Sequence, residues 1–165
     1  MLRRAREPRP SKLIRAHDRA PLACVQQCTD TARRPWHGAP LLIKLLVVDD
    51  DAGVVQTFAR MLRLEGYEVV TALNVEAALR AIEAFHPDAL LLDLRMPQID
   101  GIALLREMRS HDDQRDTPVA IVTGDYFVDD TTVCELRRLG AEMYYKPLWF
   151  EDLVEIIRRL LPAPR

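Results

Sequence analysis

Apolar and polar positions between residues 41 and 161 follow two alternating patterns. Short apolar runs indicate strands buried on both faces of a sheet, and between them apolar residues recur every three or four positions, which is typical of amphipathic helices. The predicted strands are Leu41–Val48, Tyr67–Thr71, Ala89–Leu92, Pro118–Val122 and Met143–Tyr145. A predicted helix follows each strand, and this regular alternation predicts a doubly wound parallel sheet with helices on both faces.

Residues with capping preferences mark the ends of several predicted helices. Asp51 and Asn74 can accept hydrogen bonds from the first backbone N–H groups of the first and second helices. Gly66 and Gly140 lie where the first and fourth helices should stop, and Pro162 ends the last helix. Residues 41–162 therefore form one predicted α/β domain, followed by a short tail over residues 163–165.

Residues 1–40 differ from the rest of the chain in charge and composition. They carry nine Lys or Arg residues against three Asp or Glu, a net charge of +6, whereas residues 41–165 carry a net charge of −8. With five prolines and no long periodic segment, this Pro/Arg-rich stretch is predicted to be a disordered basic arm. An arm that contacts nucleic acid or a membrane, and a start codon assigned upstream of the true domain, are the alternatives.

Other features of the composition narrow the class of protein. No apolar run reaches the roughly 18 residues of a membrane span, and the N-terminal region lacks the apolar core of a secretory signal. Cys24, Cys28 and His37 lack the paired spacing of zinc modules, so these cysteines and Cys134 are interpreted as reduced thiols. The expected protein is soluble and cytoplasmic.

Reactive polar residues stand at the ends of four predicted strands. Asp49 and Asp50 follow the first strand, Asp93 the third, Thr123 the fourth and Lys146 the fifth. In a parallel sheet these ends share one edge, where α/β folds bind their ligands. Two carboxylates about 4 Å apart repel by about 4 kcal/mol at an effective dielectric of about 20, so a proton, the Lys146 ammonium or a divalent cation must offset their charge.

The donor types at this edge favour magnesium. Carboxylate oxygens without histidine or cysteine suit Mg²⁺, a hard cation that retains several water ligands. Cation, ammonium and hydroxyl can together hold an incoming phosphoryl group, so that the Asp93 carboxylate attacks phosphorus and forms an aspartyl phosphate. Positioning and charge neutralisation supply most of the rate enhancement in such a transfer.

Four motifs in this order resemble the receiver domain of two-component response regulators, namely Val47–Asp51, Leu92–Gly101, Val122–Gly124 and Lys146–Pro147. The resemblance extends from about residue 42 to residue 161. It implies a flavodoxin-like (β/α)5 fold with strand order 2-1-3-4-5. It also implies a phosphoprotein of a phosphorelay, whose phosphodonor is a sensor histidine kinase or a phosphotransfer protein.

The resemblance further implies which residues hold the phosphoryl group and the metal. Asp93 is the implied phosphoacceptor. Asp50, Asp93 and the backbone carbonyl of Arg95 are the implied Mg²⁺ ligands, while Asp49 is implied to act from outside the direct ligands.

Thr123 and Lys146 are implied to bind the phosphoryl oxygens. Movement of Thr123 toward the phosphoryl group is implied to repack the surface formed by the last two strands and helices. The position three before the lysine, usually aromatic in the family, is Met143 in this chain, so the family's readout is in question. The segment after Thr123 is longer than usual and contains Tyr126 and Phe127, expected either over the site or against a partner.

The main functional hypothesis is a single-domain response regulator that acts on a downstream protein. It is expected to catalyse only its own phosphorylation and dephosphorylation, and to contact neither nucleic acid nor a membrane. The helix flank around Val154, Arg158 and Arg159 is a candidate surface for that partner or for a homodimer, although a solvated flank is the simpler interpretation.

Two other functional classes remain open at this point. A haloacid-dehalogenase-like phosphohydrolase would use Asp49 as the nucleophile of an Asp-x-Asp motif completed by Asp51. Against it, Gly53 stands where Thr or Val is usual, and Asp93 is left without a role. A pseudo-receiver would bind partners without being phosphorylated, which the complete acidic set disfavours.

Overall fold

The computed structural model describes residues 42–97 and 100–161. The predicted arm over residues 1–40, the tail over residues 163–165 and the stop at Pro162 lie outside these residues, as do Cys24, Cys28 and His37. The strands are β1 Lys44–Val48, β2 Glu68–Ala72, β3 Ala89–Leu92, β4 Val119–Thr123 and β5 Ala141–Tyr145. The helices are α1 Ala52–Leu64, α2 Val75–Phe85, α3 Gly101–Ser110, α4 Asp130–Arg138 and α5 Phe150–Leu160.

The strands form one parallel sheet in the order β2-β1-β3-β4-β5, which confirms the predicted doubly wound fold. In the register, Val48 of β1 lies beside Leu92 of β3, and Thr123 of β4 lies beside Tyr145 of β5. The last residues of neighbouring strands are therefore aligned. This alignment gathers the residues that follow them at one edge of the sheet.

Two apolar layers hold the sheet between its helices. Successive strand residues point to opposite faces, so Leu46 and Val48 pack with α2, α3 and α4, whereas Leu45 and Val47 pack with α1 and α5. Burying a Leu or Val side chain stabilises the fold by about 1.5–3 kcal/mol. Every residue of β3 is buried, as expected of the central strand in a sheet covered on both faces.

The helix ends follow the predicted capping signals. The Asp51 side chain accepts hydrogen bonds from the backbone N–H groups of Gly53 and Val54 at 2.7 and 3.2 Å, and Asn74 accepts one from Ala77 at 2.8 Å. Gly66 and Gly140 adopt φ angles of 88° and 72° just beyond α1 and α4. Both glycines thus end their helices in the left-handed conformation that disfavours other residues.

The structure corrects several predicted bounds and one surface. β1 begins at Lys44 rather than Leu41, and β5 begins at Ala141 rather than Met143 because Ala141 pairs with Val119 of β4. Val154 is buried with the apolar face of α5, so the predicted partner flank loses its apolar member. None of the helices in the described ranges has the length and apolar character needed to cross a membrane.

Candidate functional site

The site lies at the carboxyl edge of the sheet, where the central strands deliver their polar residues. Asp49 and Asp93 directly follow β1 and β3, and only 4% and 5% of their surfaces are exposed. The Asp93 backbone N–H still continues the sheet, donating to the Val48 carbonyl at 2.8 Å. Thr123 ends β4 and is fully buried. The hydrogen bond from Asp93 to β1 therefore fixes the backbone from which the Asp93 carboxylate extends.

Lys146 joins the two buried carboxylates. Its Nζ lies 2.5 Å from Asp49 Oδ2 and 2.7 Å from Asp93 Oδ1. The three residues are distant in sequence and meet because β1, β3 and β5 end at one edge. The structure thus brings together three of the five residues that the sequence placed at this edge.

The charges in this cluster do not balance. Burial raises the pKa of Asp93, an effect that the hydrogen bond from Lys146 only partly opposes. Burial alone would lower the pKa of Lys146, but the hydrogen bonds and the charge attraction of Asp49 and Asp93 together leave that pKa above its usual value. Two carboxylates share one ammonium, and the site therefore favours additional positive charge.

Backbone groups hold the Asp93 carboxylate on its other side. The Arg95 backbone N–H donates to Asp93 Oδ2 at 2.6 Å. The start of α3 packs directly behind this turn, where the Gly101 N–H donates to the Leu94 carbonyl at 3.0 Å. A Cβ on Gly101 would lie only 2.3 Å from the Asp93 carbonyl oxygen. The absence of a side chain at Gly101 thus leaves space for the turn that follows Asp93.

The Thr123 hydroxyl belongs to a small network in the loop after β4. It accepts a hydrogen bond from the Asp125 backbone N–H at 3.0 Å. The Asp125 carboxylate in turn accepts from Arg95 Nε at 3.0 Å, which links the loops after β3 and β4. Hydrogen bonds, first from the Phe127 backbone N–H and then from Arg95, hold the pKa of Asp125 below its usual range. Sequence reasoning missed Asp125. The only signal that could have indicated this residue was its position two residues after Thr123.

The aromatic residues near the site take distinct positions. Tyr126 stacks on Tyr145 with ring centroids 5.1 Å apart, and its hydroxyl donates to the backbone carbonyl of Lys146. Phe127 projects outward with 94% of its surface exposed. Met143 is buried in the core layer of α2, α3 and α4. The sequence left the orientation of Tyr126 and Phe127 open. In the structure, Tyr126 packs against β5 and Phe127 projects into solvent.

The donors at this edge fit a magnesium ion in chemistry. Carboxylate oxygens with excess negative charge and a backbone carbonyl are the ligands that Mg²⁺ takes, together with waters. Asp50 is exposed where the chain leaves β1. Within residues 42–97 and 100–161, no three acidic, histidine or cysteine side chains converge closely enough to surround a metal ion. A magnesium ion here would rely on few protein ligands and several waters, as this cation commonly does.

The strand order and the site together define a class of protein, the flavodoxin-like α/β domains that carry their chemistry at the carboxyl edge of the sheet. Comparison with known proteins gives the family. The sequence profile of the response regulator receiver domain matches residues 45–158. The chain therefore belongs to this family, whose domains serve phosphorylation-based two-component signalling.

Individual relatives agree with the family assignment. Regulatory protein AtoC of Escherichia coli is 38% identical over 119 residues, which cover 72% of this chain and 25% of AtoC. Transcriptional regulatory protein PrrA of Mycobacterium tuberculosis is 37% identical over 118 residues, covering 72% of this chain and 49% of PrrA. The chain thus spans half or less of the length of these curated relatives.

Solved structures are similar over most of the described residues. Chemotaxis protein CheY4 of Vibrio cholerae gives a TM-score of 0.67 at 27% identity, covering 73% of this chain and all of that one. A CheY-like receiver domain protein of Methanospirillum hungatei gives 0.65 at 29% identity, covering 72% and 93% of the two chains. Asp51, which would complete the Asp-x-Asp motif of the hydrolase alternative, caps α1 in the structure.

Proposed function

We propose that this domain is a phosphorylation-controlled switch in which Asp93 accepts a phosphoryl group from a sensor histidine kinase or a phosphotransfer protein. The observation that carries the proposal is the Lys146 ammonium, which lies within 2.7 Å of both buried carboxylates. Asp93 stands at the centre of these contacts, beside Asp49 and one strand away from Thr123. Asp49 and Asp93 are both buried and both contact the ammonium, but only Asp93 follows the strand that lies next to β4, which ends in Thr123.

The transfer itself needs little covalent chemistry from the protein. One Asp93 oxygen forms a bond to phosphorus as the phosphorus–nitrogen bond of a phosphohistidine breaks, and the departing imidazole takes a proton from solvent. The Arg95 N–H orients the carboxylate, Lys146 offsets negative charge, and the Thr123 hydroxyl can donate to a phosphoryl oxygen. Such positioning and charge neutralisation are the main sources of catalysis in phosphoryl transfer.

Magnesium is the cofactor we assign to this reaction. Asp50, Asp93 and the backbone carbonyl of Arg95 would hold the ion, with Asp49 outside the direct ligands. When bound, Mg²⁺ would reduce the negative charge between the carboxylates and the phosphoryl oxygens. The excess negative charge of two buried carboxylates that share one ammonium supports this assignment.

The output we infer is a change in a protein-interaction surface formed by β4, β5, α4 and α5. Thr123 and Lys146 end or follow the two strands of this surface, so their movement toward a phosphoryl group would shift the packing of α4 and α5. A downstream protein, or a second copy of the domain, would distinguish the two states by differential affinity.

Locating the phosphoryl group tests the proposal. The protein is incubated with an acyl phosphate and Mg²⁺, and the modified residue is found by mass spectrometry. We expect the label on Asp93, its loss in Asp93→Asn, and its loss when a chelator removes the metal. Asp113→Asn, at an exposed carboxylate far from the site in sequence, serves as the matched control and should keep the label.

Two outcomes would overturn this function. A label that persists in Asp93→Asn but disappears in Asp49→Asn would instead favour the phosphohydrolase. An unlabelled wild-type protein, tested also with several phosphorylated histidine kinases, would favour a pseudo-receiver that binds partners without phosphorylation.

A further inference from the structure

Tyr126 connects the loop after β4 to the end of β5. Its ring stacks on Tyr145 at an interplanar angle of 12°, and its hydroxyl donates a hydrogen bond to the backbone carbonyl of the next residue, Lys146. One side chain therefore contacts two consecutive residues where β5 ends. The second of these residues carries the ammonium of the site.

The two backbone polar groups of Lys146 are both held from the β4 side. Its N–H donates to the Thr123 carbonyl at 2.8 Å, and its carbonyl accepts from Tyr126. The Lys146 ammonium lies at the end of a flexible four-carbon side chain. Fixing the backbone at both groups restricts the positions from which this ammonium can reach Asp49 and Asp93.

We propose that Tyr126 is a positioning residue for Lys146. Its hydrogen bond and its stack hold the end of β5 so that the ammonium stays between the two carboxylates. Because Tyr126 lies three residues after Thr123, the same contacts couple any displacement of the Thr123 loop to the backbone of Lys146. This inference rests on the proposed phosphorylation of Asp93 only for its effect on rate, since the placement of Lys146 can be measured without phosphoryl transfer.

The exposure of Tyr126 distinguishes this role from ordinary core packing. Its surface is 54% exposed, and it belongs to neither of the two apolar layers. Truncating the ring therefore removes little of the burial that stabilises the fold. An effect of the truncation on the site would act through the contacts with Tyr145 and Lys146.

Two substitutions divide the contacts, and a neighbouring residue provides the control. Tyr126→Phe removes the hydroxyl and retains the stack, whereas Tyr126→Ala removes both. Phe127→Ala truncates an adjacent ring that is almost fully exposed, and it leaves the backbone hydrogen bond from Phe127 to Asp125 in place. Thermal unfolding of each variant establishes that it is folded.

The first measurement follows Lys146 directly by NMR. The chain contains only three lysines, Lys12, Lys44 and Lys146, so lysine labelled with ¹³C at the ε position gives three signals, assigned with Lys44→Arg and Lys146→Arg. We expect the Lys146 signal of Tyr126→Ala to move toward the position of a freely solvated lysine. Tyr126→Phe should fall between that variant and the wild type, and Phe127→Ala should match the wild type.

The second measurement is the rate of Asp93 phosphorylation by an acyl phosphate with Mg²⁺, followed by intact mass. We expect a loss of about two- to five-fold in Tyr126→Phe and about ten-fold in Tyr126→Ala, the size that follows when a hydrogen bond and then a contact surface are lost. Phe127→Ala should remain within about two-fold of the wild type, since its ring is almost fully exposed.

A wild-type Lys146 signal in folded Tyr126→Ala would overturn the inference, as would equal losses in Tyr126→Ala and Phe127→Ala. If Tyr126→Ala does not fold, an unchanged signal and rate in Tyr126→Phe would overturn the contribution of its hydrogen bond. Failure of the proposed function has a different signature, because the wild type would then carry no label on Asp93 whatever the NMR signals show.

Discussion

Replacing Gly101 with alanine should disturb the site through the backbone rather than through any side chain of the reaction. The added Cβ would lie 2.3 Å from the Asp93 carbonyl oxygen and 3.3 Å from the Leu94 Cα. Ordinary contacts of this kind exceed about 3 Å, so α3 and the Asp93 turn must separate by most of an ångström. Neither atom belongs to a flexible side chain that could move aside.

Two magnitudes follow from this displacement. Overpacking of a tight contact costs about 1–3 kcal/mol, which should appear as a lower free energy of unfolding in urea. A displacement of about 1 Å at a reacting group can reduce a rate by up to about a hundred-fold. We expect Gly101→Ala to lose phosphorylation by at least about ten-fold while it remains folded.

A matched glycine provides the control. Gly124 follows Thr123 at the same edge, has no atom within 4 Å of a Cβ built on it, and has an ordinary negative or extended φ. Gly124→Ala should therefore leave the rate unchanged and can stabilise the fold slightly by restricting the unfolded chain. If Gly101→Ala were as stable and as fast as Gly124→Ala, the close approach of α3 to the Asp93 turn would not constrain the site.

Three further predictions concern charge. Lys146→Ala should remain folded by circular dichroism but lose about 1–3 kcal/mol in urea unfolding and most of its phosphorylation rate, because two buried carboxylates lose a shared donor; an unchanged rate would contradict this. Burial raises the pKa of Asp93 above its ordinary value of 3.8, so ionising this carboxyl costs more free energy in the folded state than in the unfolded chain. The free energy of unfolding should therefore fall as pH rises above 3.8 toward the raised pKa. Urea unfolding should therefore show the stability of Asp93→Asn increasing relative to the wild type as pH rises above 3.8, and a difference that stays constant with pH would exclude the effect. Asp129 caps α4, and hydrogen bonds from the backbone and side chain of Thr132 lower its pKa. Asp129→Ala should therefore be less stable than the wild type above pH 3.8, and this difference should diminish as pH falls further. Thermal unfolding at a series of acidic pH values can test this.

The order of strands and the convergence of the site followed from local patterns in the sequence. The apolar run Ala89–Leu92 predicted a buried central strand, and placing Asp93 after it fixed the reactive carboxylate at the carboxyl edge. Glycines with positive φ marked the ends of two helices because other residues avoid that conformation. These features depend on a few neighbouring residues, so one sequence suffices to predict them.

Local sequence patterns could not predict contacts between segments that are distant in the chain. The ion pair of Arg95 with Asp125 joins two loops, and neither residue type indicates a partner thirty positions away. At Gly101, what requires glycine is the space beside Asp93 and not its φ angle, and neighbouring residues in the sequence do not indicate that space. Val154 was assigned to a surface, yet it lies within the buried face of α5, whose exact rotation depends on the sheet it covers.

The charge imbalance at the carboxyl edge connects these separate features to the proposed switch. In the resting site, a single ammonium contacts two buried carboxylates, and the pKa values of Asp93 and Lys146 are both raised. A phosphoryl group brings further negative charge to the same place, so it can bind stably only if cationic and donor groups rearrange around it. Thr123 and Lys146 supply such groups, and the Lys146 N–H donates a hydrogen bond to the Thr123 carbonyl. Tyr126, three residues after Thr123, donates a hydrogen bond to the Lys146 carbonyl. In the proposed switch, the groups that would neutralise the phosphoryl charge are therefore also those best placed to transmit its presence to the surface.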